Sequence, residues 1–292
     1  MNLIPPHAEA ELRVLARRLR HGPGSTAWAR AVARVAGASS EFLDRRPYVL
    51  GDDRRSIDWK GYAKTLRPVV KRFHSERAPE LHILLDGSGS LALGEPSKLE
   101  CARGLSAMLA YLGTSVGARV QLWLGTEAGV RRLGQASSRV ELLPLFTALM
   151  ATRAEGKTAL SEWILHVAER ASSEACLIVA SDLLDTGALW PSTFSAAKGR
   201  LSLAFFQILE PRELEPSFEG DLTLQAVETN EQLDVDVDAR TLAAYRAEIQ
   251  KWFNELDARS KQLGHAYQRF VAGADPLPGL RQFVAHTAAA HG

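Results

Sequence analysis

The sequence predicts an α/β protein with a mostly parallel β-sheet covered by helices on both faces. Two observations carry this prediction: short apolar runs alternate with segments of helical periodicity, and two of these runs end at an aspartate. Short buried strands that alternate with helices of roughly 10–18 residues are typical of such sheets. In addition, 46% of the 292 residues are hydrophobic, which is sufficient for a large core.

The N-terminal quarter of the chain differs from the rest. Residues 7–36 are predicted to form two helices, because apolar residues recur there at helical spacing. Residues 44–80 carry ten Lys/Arg and six Asp/Glu, with one strand predicted at 66–73. We therefore expect residues 1–79 to form a helical region and a charged, strand-bearing segment, and residues 80–292 to form the main domain.

The main domain is predicted to alternate between strands and helices. Strands are predicted at 81–86, 119–124, 130–133, 175–181, 201–208 and 265–271. Helices are predicted at 98–115, 138–151, 159–171, near 187–198, from Asp238 to Leu263 and from Pro276 to about His286. An inserted β-hairpin is expected at about 210–238, because residues 217–238 hold seven Asp/Glu, no Lys/Arg and two strand-like runs around a turn.

The composition excludes several classes of protein. A net charge of +1 gives no electrostatic basis for binding nucleic acid or an anionic membrane. Two cysteines, Cys101 and Cys176, are too few for a disulfide scaffold or a clustered cysteine zinc site. No apolar run approaches the roughly 18 residues of a membrane span, and no signal-peptide pattern is visible. We expect a cytoplasmic protein with no membrane span.

The informative motif is a cluster of oxygen-bearing side chains at strand ends. Asp86, Ser88 and Ser90 follow the first strand of the main domain at alternate positions. Thr158 precedes a predicted helix, and Asp182 follows another apolar strand. Because loops at the carboxyl ends of parallel strands form the ligand crevice, these side chains should meet. Hydroxyl and carboxylate oxygens suit Mg²⁺ or Mn²⁺.

A structural role for the same residues stays open. Serine, threonine and aspartate also cap helices, so Ser88, Ser90, Thr158 and Asp182 fit helix caps as well as metal ligands. In that case the protein is a metal-free interaction domain.

The motif resembles the metal-ion-dependent adhesion site of von Willebrand factor A-like domains. Upstream, R-P-Y-V-L-G-D-D-R-R-S-I-D-W at 46–59, then V-K-R-F at 70–73 and Glu76, resembles the signature of the domain of unknown function 58 family. That family places such a string just before an A-like domain. The similarity runs from about Glu41 to Asp275. It implies a Rossmann-like, von Willebrand factor A-type three-layer sandwich with an inserted β-hairpin and an N-terminal helical and β extension.

The resemblance also implies a function. In such sites the serines and the threonine tend to bind the ion directly, an aspartate often acts through water, and the sixth position is left for an acidic residue of a partner. Similar proteins are thought to work with MoxR-type AAA+ ATPases. The resemblance therefore implies a non-enzymatic interaction module, an adaptor or co-chaperone of such an ATPase, with Asp86, Ser88, Ser90, Thr158 and Asp182 around the metal.

A second candidate surface lies in the charged segment. Arg54, Arg55 and Trp59 fit a recognition patch for an acidic partner or a phosphate. The alternative, which we favour, is that neighbouring acids pair with the arginines while the tryptophan anchors the loop in a core.

Enzymatic function has less support than interaction. The sequence contains no P-loop, no G-x-S-x-G elbow and no H-E-x-x-H motif. His82 precedes Asp86 within the strand, where a packed histidine is more common than a catalytic base. A Mg²⁺-dependent hydrolase that uses Asp86 and Asp182 remains an alternative.

Overall fold

A computed structural model describes residues 3–21, 42–47, 58, 62, 69–73, 78–172, 175–184 and 201–289. The chain divides into two compact units, a larger one of residues 1–36 and 79–292 and a smaller one of residues 37–78. The second predicted helix of the N-terminal region and the predicted helix near 187–198 lie outside the described residues.

The smaller unit contains a two-stranded antiparallel sheet. Strand β1 (Phe42–Pro47) pairs with β2 (Val69–Phe73), and Arg46 lies opposite Val70. The strand predicted at 66–73 is therefore present in its second half. Its partner β1 was not predicted, because the sequence FLDRRP has three charged residues and no alternation of apolar and polar positions.

The larger unit is built on a six-stranded sheet with a separate hairpin. Its strands are β3 (Glu80–Asp86), β4 (Arg119–Thr126), β5 (Gly129–Ala136), β6 (Cys176–Ser181), β7 (Ser202–Leu209), β8 (Gly220–Gln225), β9 (Gln232–Val237) and β10 (Ala266–Val271). The sheet order is β10-β7-β6-β3-β4-β5, and every neighbouring pair is parallel except the antiparallel pair β4-β5. Strands β8 and β9 form the hairpin.

Helices cover both faces of this sheet. They are α1 (Pro6–His21), α2 (Lys98–Ser115), α3 (Leu142–Met150), α4 (Leu160–Ala168), α5 (Pro211–Leu214), α6 (Ala239–Leu263) and α7 (Leu277–Ala289). One core cluster joins α1, α2, α3 and α7 to the sheet, and a second joins α4 and α6 to its other face. Successive residues of β3 serve opposite clusters, with Ile83 in the first and Leu84 in the second. The predicted three-layer α/β sandwich is confirmed.

The strand order determines where a ligand crevice forms. From β3 the chain continues to β4 and β5 on one side, and β6, β7 and β10 are added on the other side. The topological switch point therefore lies between β3 and β6. In open α/β sheets ligands bind at the carboxyl ends of the strands beside this point, which is where Asp86 and Asp182 lie.

The first helix belongs to the larger unit. Leu12 and Leu15 of α1 are fully buried in the core cluster that includes α2, α7 and the sheet. The sequence analysis grouped this helix with the charged segment, in residues 1–79. By its contacts, α1 belongs to the larger unit, whereas residues 37–78 form the smaller one. The amphipathic stripe predicted the helix but contained no information about its packing partner. Within the described part of the chain, no helix has the length and apolar character that a membrane crossing requires.

The inserted hairpin is present and is followed by a long helix. Residues on β8 and β9 are mostly exposed, and Leu224 lies opposite Leu233. Asp238 caps α6 as expected, because its carboxylate accepts a hydrogen bond of 2.6 Å from the Thr241 backbone N–H.

Candidate metal centre

Asp86 ends β3 and is completely buried. Its Oδ1 accepts a hydrogen bond from the backbone N–H of Ser88 at 2.8 Å, and its Oδ2 accepts one from the hydroxyl of Ser181 at 2.6 Å. Ser181 is the last residue of β6, the neighbouring strand across the switch point. The carboxylate is therefore held in one orientation by the loop that follows β3 and by the last residue of β6.

The loop after Asp86 brings two hydroxyl groups together. The Oγ atoms of Ser88 and Ser90 lie 3.1 Å apart. This turn depends on Gly87, whose N–H donates to the carbonyl oxygen of Gly125 at 2.9 Å. A Cβ at Gly87 would lie 2.7 Å from that oxygen, so a side chain here would displace the loop.

The loop before α4 is hydrogen-bonded to the loop after β3. The N–H of Gly89 donates to the carbonyl of Gly156 at 2.8 Å, and the N–H of Glu155 donates to the carbonyl of Gly87 at 2.9 Å. Thr158 follows in this second loop, and its Oγ1 is buried with no hydrogen-bonding partner among the described residues. A buried hydroxyl without a hydrogen-bonding partner lowers the stability of the fold by roughly 1–3 kcal/mol. A metal ion that binds a lone pair of the hydroxyl oxygen would offset this cost.

The alternative that these residues cap helices has little support from the geometry. Ser88 precedes the short 3₁₀ turn Gly89–Ala92, but its side chain makes no capping hydrogen bond. The N-cap residue of α4 is Ala159, not Thr158, and the alanine side chain has no oxygen that could cap the helix. For Asp182 the helix that it would cap lies outside the described residues.

Asp182 contacts a buried lysine that sequence analysis missed. Its Oδ2 accepts a hydrogen bond from Nζ of Lys98 at 2.8 Å, and the same Nζ lies 2.6 Å from Oε1 of Glu213. Lys98 is completely buried at the first turn of α2, and Glu213 belongs to α5 at the start of the insertion. Lys98 therefore links the strand-end aspartate to the inserted segment.

The site has an excess of negative charge. Burial, together with the negative charge of Asp182, raises the pKa of the Asp86 carboxyl from 3.8 to about 6. Burial disfavours the ammonium of Lys98, but the carboxylates of Asp182 and Glu213 outweigh burial and raise its pKa. When all are ionised, three carboxylates face one ammonium and leave two negative charges, which one divalent cation would neutralise.

The residues present fit a magnesium site. Ser88 and Ser90 offer adjacent hydroxyl oxygens, Thr158 offers a buried hydroxyl that no described residue hydrogen-bonds, and Asp86 and Asp182 supply charge. The described part of the chain has no group of three or more His, Cys, Asp or Glu side chains placed to hold a metal. A site here would depend on hydroxyl oxygens and on few carboxylates, a set that suits a hard cation.

His82, which lies in the same strand as Asp86, is packed in the core. The ring of His82 is completely buried, and the indole N–H of Trp123 donates to its Nδ1 at 3.1 Å. Burial lowers the pKa of His82, which favours the neutral ring. This histidine is packed inside the sheet layer, as its position in the strand indicated.

The second candidate surface is not described. Arg54, Arg55 and Trp59 lie outside the described residues, so their role as a partner-binding patch stays a prediction.

Comparisons with known proteins agree with the sequence signature. A family model described as protein of unknown function DUF58 matches residues 44–255. The uncharacterized protein Rv1480 of Mycobacterium tuberculosis and the uncharacterized protein Mb1516 of Mycobacterium bovis are each 28% identical to this chain over 230 residues, which cover 74% of this chain and 71% of the relative.

Two solved structures are similar at low sequence identity. The conserved hypothetical protein BatB from Bacteroides thetaiotaomicron aligns with a TM-score of 0.44 and 15% identity, over 72% of this chain and 99% of that one. A von Willebrand factor type A from Catenulispora acidiphila aligns with a TM-score of 0.40 and 15% identity, over 77% and 44%. Because the family model spans most of the length of this chain, the chain belongs to the DUF58 family of proteins of unknown function.

Proposed function

We propose that this protein is a non-enzymatic interaction module whose metal centre binds Mg²⁺ or Mn²⁺ and, through the ion, an acidic side chain of a protein partner. The observation that carries the proposal is the buried hydroxyl of Thr158, which has no partner among the described residues and belongs to the loop joined to the Ser88–Ser90 turn. A bound ion would supply positive charge and an open coordination position for a carboxylate.

The chain's own residues have separate roles in this proposal. Ser88, Ser90 and Thr158 hold the ion, and Asp86 orients the loop by accepting the Ser88 N–H while it adds negative charge. Asp182 is already hydrogen-bonded to Lys98, so it acts at longer range, through water. The family resemblance supports a MoxR-type AAA+ ATPase as the partner, with this protein as its adaptor or co-chaperone.

The metal site is tested by calorimetric titration with Mg²⁺ and Mn²⁺. We expect heat of binding for the unmodified protein and for Asp257→Ala, a control on the exposed surface of α6, and none for Asp86→Ala. Thr158→Val should lower the affinity by about tenfold or more, since it removes an oxygen ligand. Because the hydroxyl has no hydrogen bond to lose within the described part of the chain, the metal-free Thr158→Val protein should unfold no more easily than the unmodified protein.

The partner is tested with a purified MoxR-type ATPase. Capture should need the ion, and EDTA should release it. Capture that survives both EDTA and Asp86→Ala would refute the metal-bridged mechanism. Metal-dependent turnover of a phosphate or ester substrate would contradict the non-enzymatic assignment and favour a hydrolase.

A further inference from the structure

The turn of the inserted hairpin lies against both loops of the candidate metal centre. Oε2 of Glu228 accepts a hydrogen bond of 3.1 Å from the backbone N–H of Thr158. A Cγ atom of Val227 lies 3.3 Å from the position that a Cβ on Gly89 would occupy, between Ser88 and Ser90. One side of the turn therefore contacts the threonine loop, and the adjacent residue contacts the serine loop.

The burial pattern singles out Glu228. From Thr223 to Asp234 every residue is exposed except Glu228, which is half-buried. A glutamate at the turn of an exposed hairpin normally extends into water. Here the Glu228 side chain is turned towards the protein and is less exposed than the neighbouring apolar Val227, which is 45% exposed.

The other end of the insertion is also connected to the site. Glu213 lies in α5, where the insertion begins, and its carboxylate binds Lys98, which in turn binds Asp182. The inserted segment thus contacts the candidate metal centre at its base through Glu213 and at its turn through Glu228.

The charges of the hairpin and of the site favour a cation at this contact. Residues 217–238 contain seven Asp/Glu and no Lys/Arg, and the site already has an excess of carboxylates. Without an ion, Glu228 adds a further negative charge to a region that already carries an excess of carboxylates. With a divalent ion held by the hydroxyls, the same carboxylate is attracted and supplies an oxygen ligand of the preferred kind.

We propose that Glu228 is an in-chain carboxylate ligand of the metal centre and that the hairpin, residues 217–238, is a lid that an acidic side chain of the partner displaces. This inference rests on the proposed function, because it requires the ion. The inference also goes beyond the proposed function. The sixth ligand of the ion is then already present before the partner binds, and partner binding exchanges one carboxylate for another.

The test counts the exchangeable water molecules on bound Mn²⁺ by water-proton and ¹⁷O relaxation. It compares the unmodified protein, Glu228→Ala and the matched control Glu231→Ala, an exposed glutamate of the same turn. We expect Mn²⁺ in Glu228→Ala to carry about one more water than in the other two proteins. Added acetate should displace that extra water in Glu228→Ala and should displace little water in the unmodified protein.

Three other outcomes overturn the inference. Equal water counts with Mn²⁺ bound to all three proteins would remove Glu228 from the coordination shell and leave the proposed function intact. Equal displacement by acetate would show that no lid competes with an external carboxylate. If none of the proteins binds Mn²⁺, both this inference and the proposed function are wrong.

A second measurement does not depend on counting waters. Amide hydrogen exchange of residues 219–236 should slow when Mg²⁺ is added to the unmodified protein and to Glu231→Ala, because the ion attracts the lid. In Glu228→Ala the exchange should be unchanged by Mg²⁺. Slowing of the same size in all three proteins would contradict the role of Glu228.

Discussion

Asp86 places a carboxyl group at the buried end of a strand, beside a second carboxylate. Its burial and the charge of Asp182 both disfavour ionisation, and together they raise the pKa of Asp86 to about 6. In the metal-free protein at neutral pH the ionised form is therefore retained against a free-energy cost. A neutral residue at this position would be more favourable for stability. A buried charge that is kept at the expense of stability is typical of a functional site.

The raised pKa of Asp86 predicts how the stability of the metal-free protein depends on pH. The folded-state pKa of Asp86, about 6, is higher than the ordinary value of 3.8, so the folded protein binds more protons between these pH values. The contribution of Asp86 therefore lowers the free energy of unfolding as the pH rises from below about 4 to above about 6, by roughly 3 kcal/mol over the whole range. Asp86→Asn removes this term and can keep the hydrogen bond from the Ser88 N–H.

We therefore expect metal-free Asp86→Asn to be more stable than the unmodified protein at pH 7.5, and the difference to shrink towards pH 4.5. Urea denaturation in EDTA at the two pH values measures this difference, and the titrating groups that do not interact with Asp86 cancel in the comparison. With Mg²⁺ present only the unmodified protein should gain stability, by mass action. A difference between the two proteins that is the same at both pH values would refute the assignment of a raised pKa.

Residues of the site differ in how far the sequence reveals them. Asp86, Ser88 and Ser90 are close in sequence and follow an apolar strand, so spacing and strand polarity were sufficient to predict that they lie together at the strand end. Lys98 is 84 residues from Asp182 in sequence, and Glu228 is 70 residues from Thr158. Lys98, in the first turn of a helix, and Glu228, in a hairpin turn, both have the sequence pattern of surface residues. Their contacts with the site are therefore visible only in the tertiary structure.

Among the elements, the junction of β4 with α4 is packed most closely near the site. A Cβ on Gly125 would overlap the indole ring of Trp163, which is almost fully buried. Gly125 also accepts the hydrogen bond from Gly87 that positions the serine loop. The absence of one side chain in β4 thus serves both the packing of α4 and the geometry of the candidate metal centre.

Gly125→Ala tests this coupling between packing and site. We expect it to destabilise the protein by about 1–3 kcal/mol or more, because neither the ring nor the strand can move freely. The affinity for Mn²⁺ should fall as well, since the displaced carbonyl supports the loop of Ser88. The control is Gly104→Ala in α2, where a Cβ would meet its nearest neighbour at an ordinary 3.5 Å and helix propensity improves by roughly 1 kcal/mol.

Denaturation curves and Mn²⁺ titrations of the two alanine variants give the result. Loss of stability in Gly125→Ala with unchanged Mn²⁺ affinity would separate the packing of α4 from the site and contradict the coupling.

Element boundaries were predicted best where burial was greatest. Strands β3, β6 and β7 were located to within about two residues, because they are almost uninterrupted apolar runs. Strand β5 extends over Gly129–Ala136 instead of the predicted 130–133. It is an edge strand with Arg131 and Arg132 exposed, so its charged residues obscured the pattern that marks the inner strands.

At the scale of the larger unit, the first and last described helices pack into one core. Leu12, Leu15 and Leu19 of α1 belong to the same buried cluster as Phe283 of α7. An ion pair between Glu11 and Arg281 connects the two helices at the surface. Helical spacing predicted both helices, but an apolar stripe shows only that a face is buried, not which element covers it.

Adjacent residues of α1 test whether this helix is part of the cooperative unit. Leu15 is 1% exposed, whereas the preceding residue, Val14, is 47% exposed. Leu15→Ala should lower the free energy of unfolding by about 2–5 kcal/mol, because it leaves a cavity in the core that supports the sheet. Val14→Ala should change it by no more than about 0.5 kcal/mol.

Urea denaturation in EDTA, followed by tryptophan fluorescence and by circular dichroism, measures both changes. Because Leu15 packs into the core shared with the sheet, the two probes should shift to the same lower midpoint in Leu15→Ala. If circular dichroism alone shifts, α1 unfolds separately from the sandwich. In that case the N-terminal helix would be an accessory of the fold and not part of the core that positions the candidate metal centre.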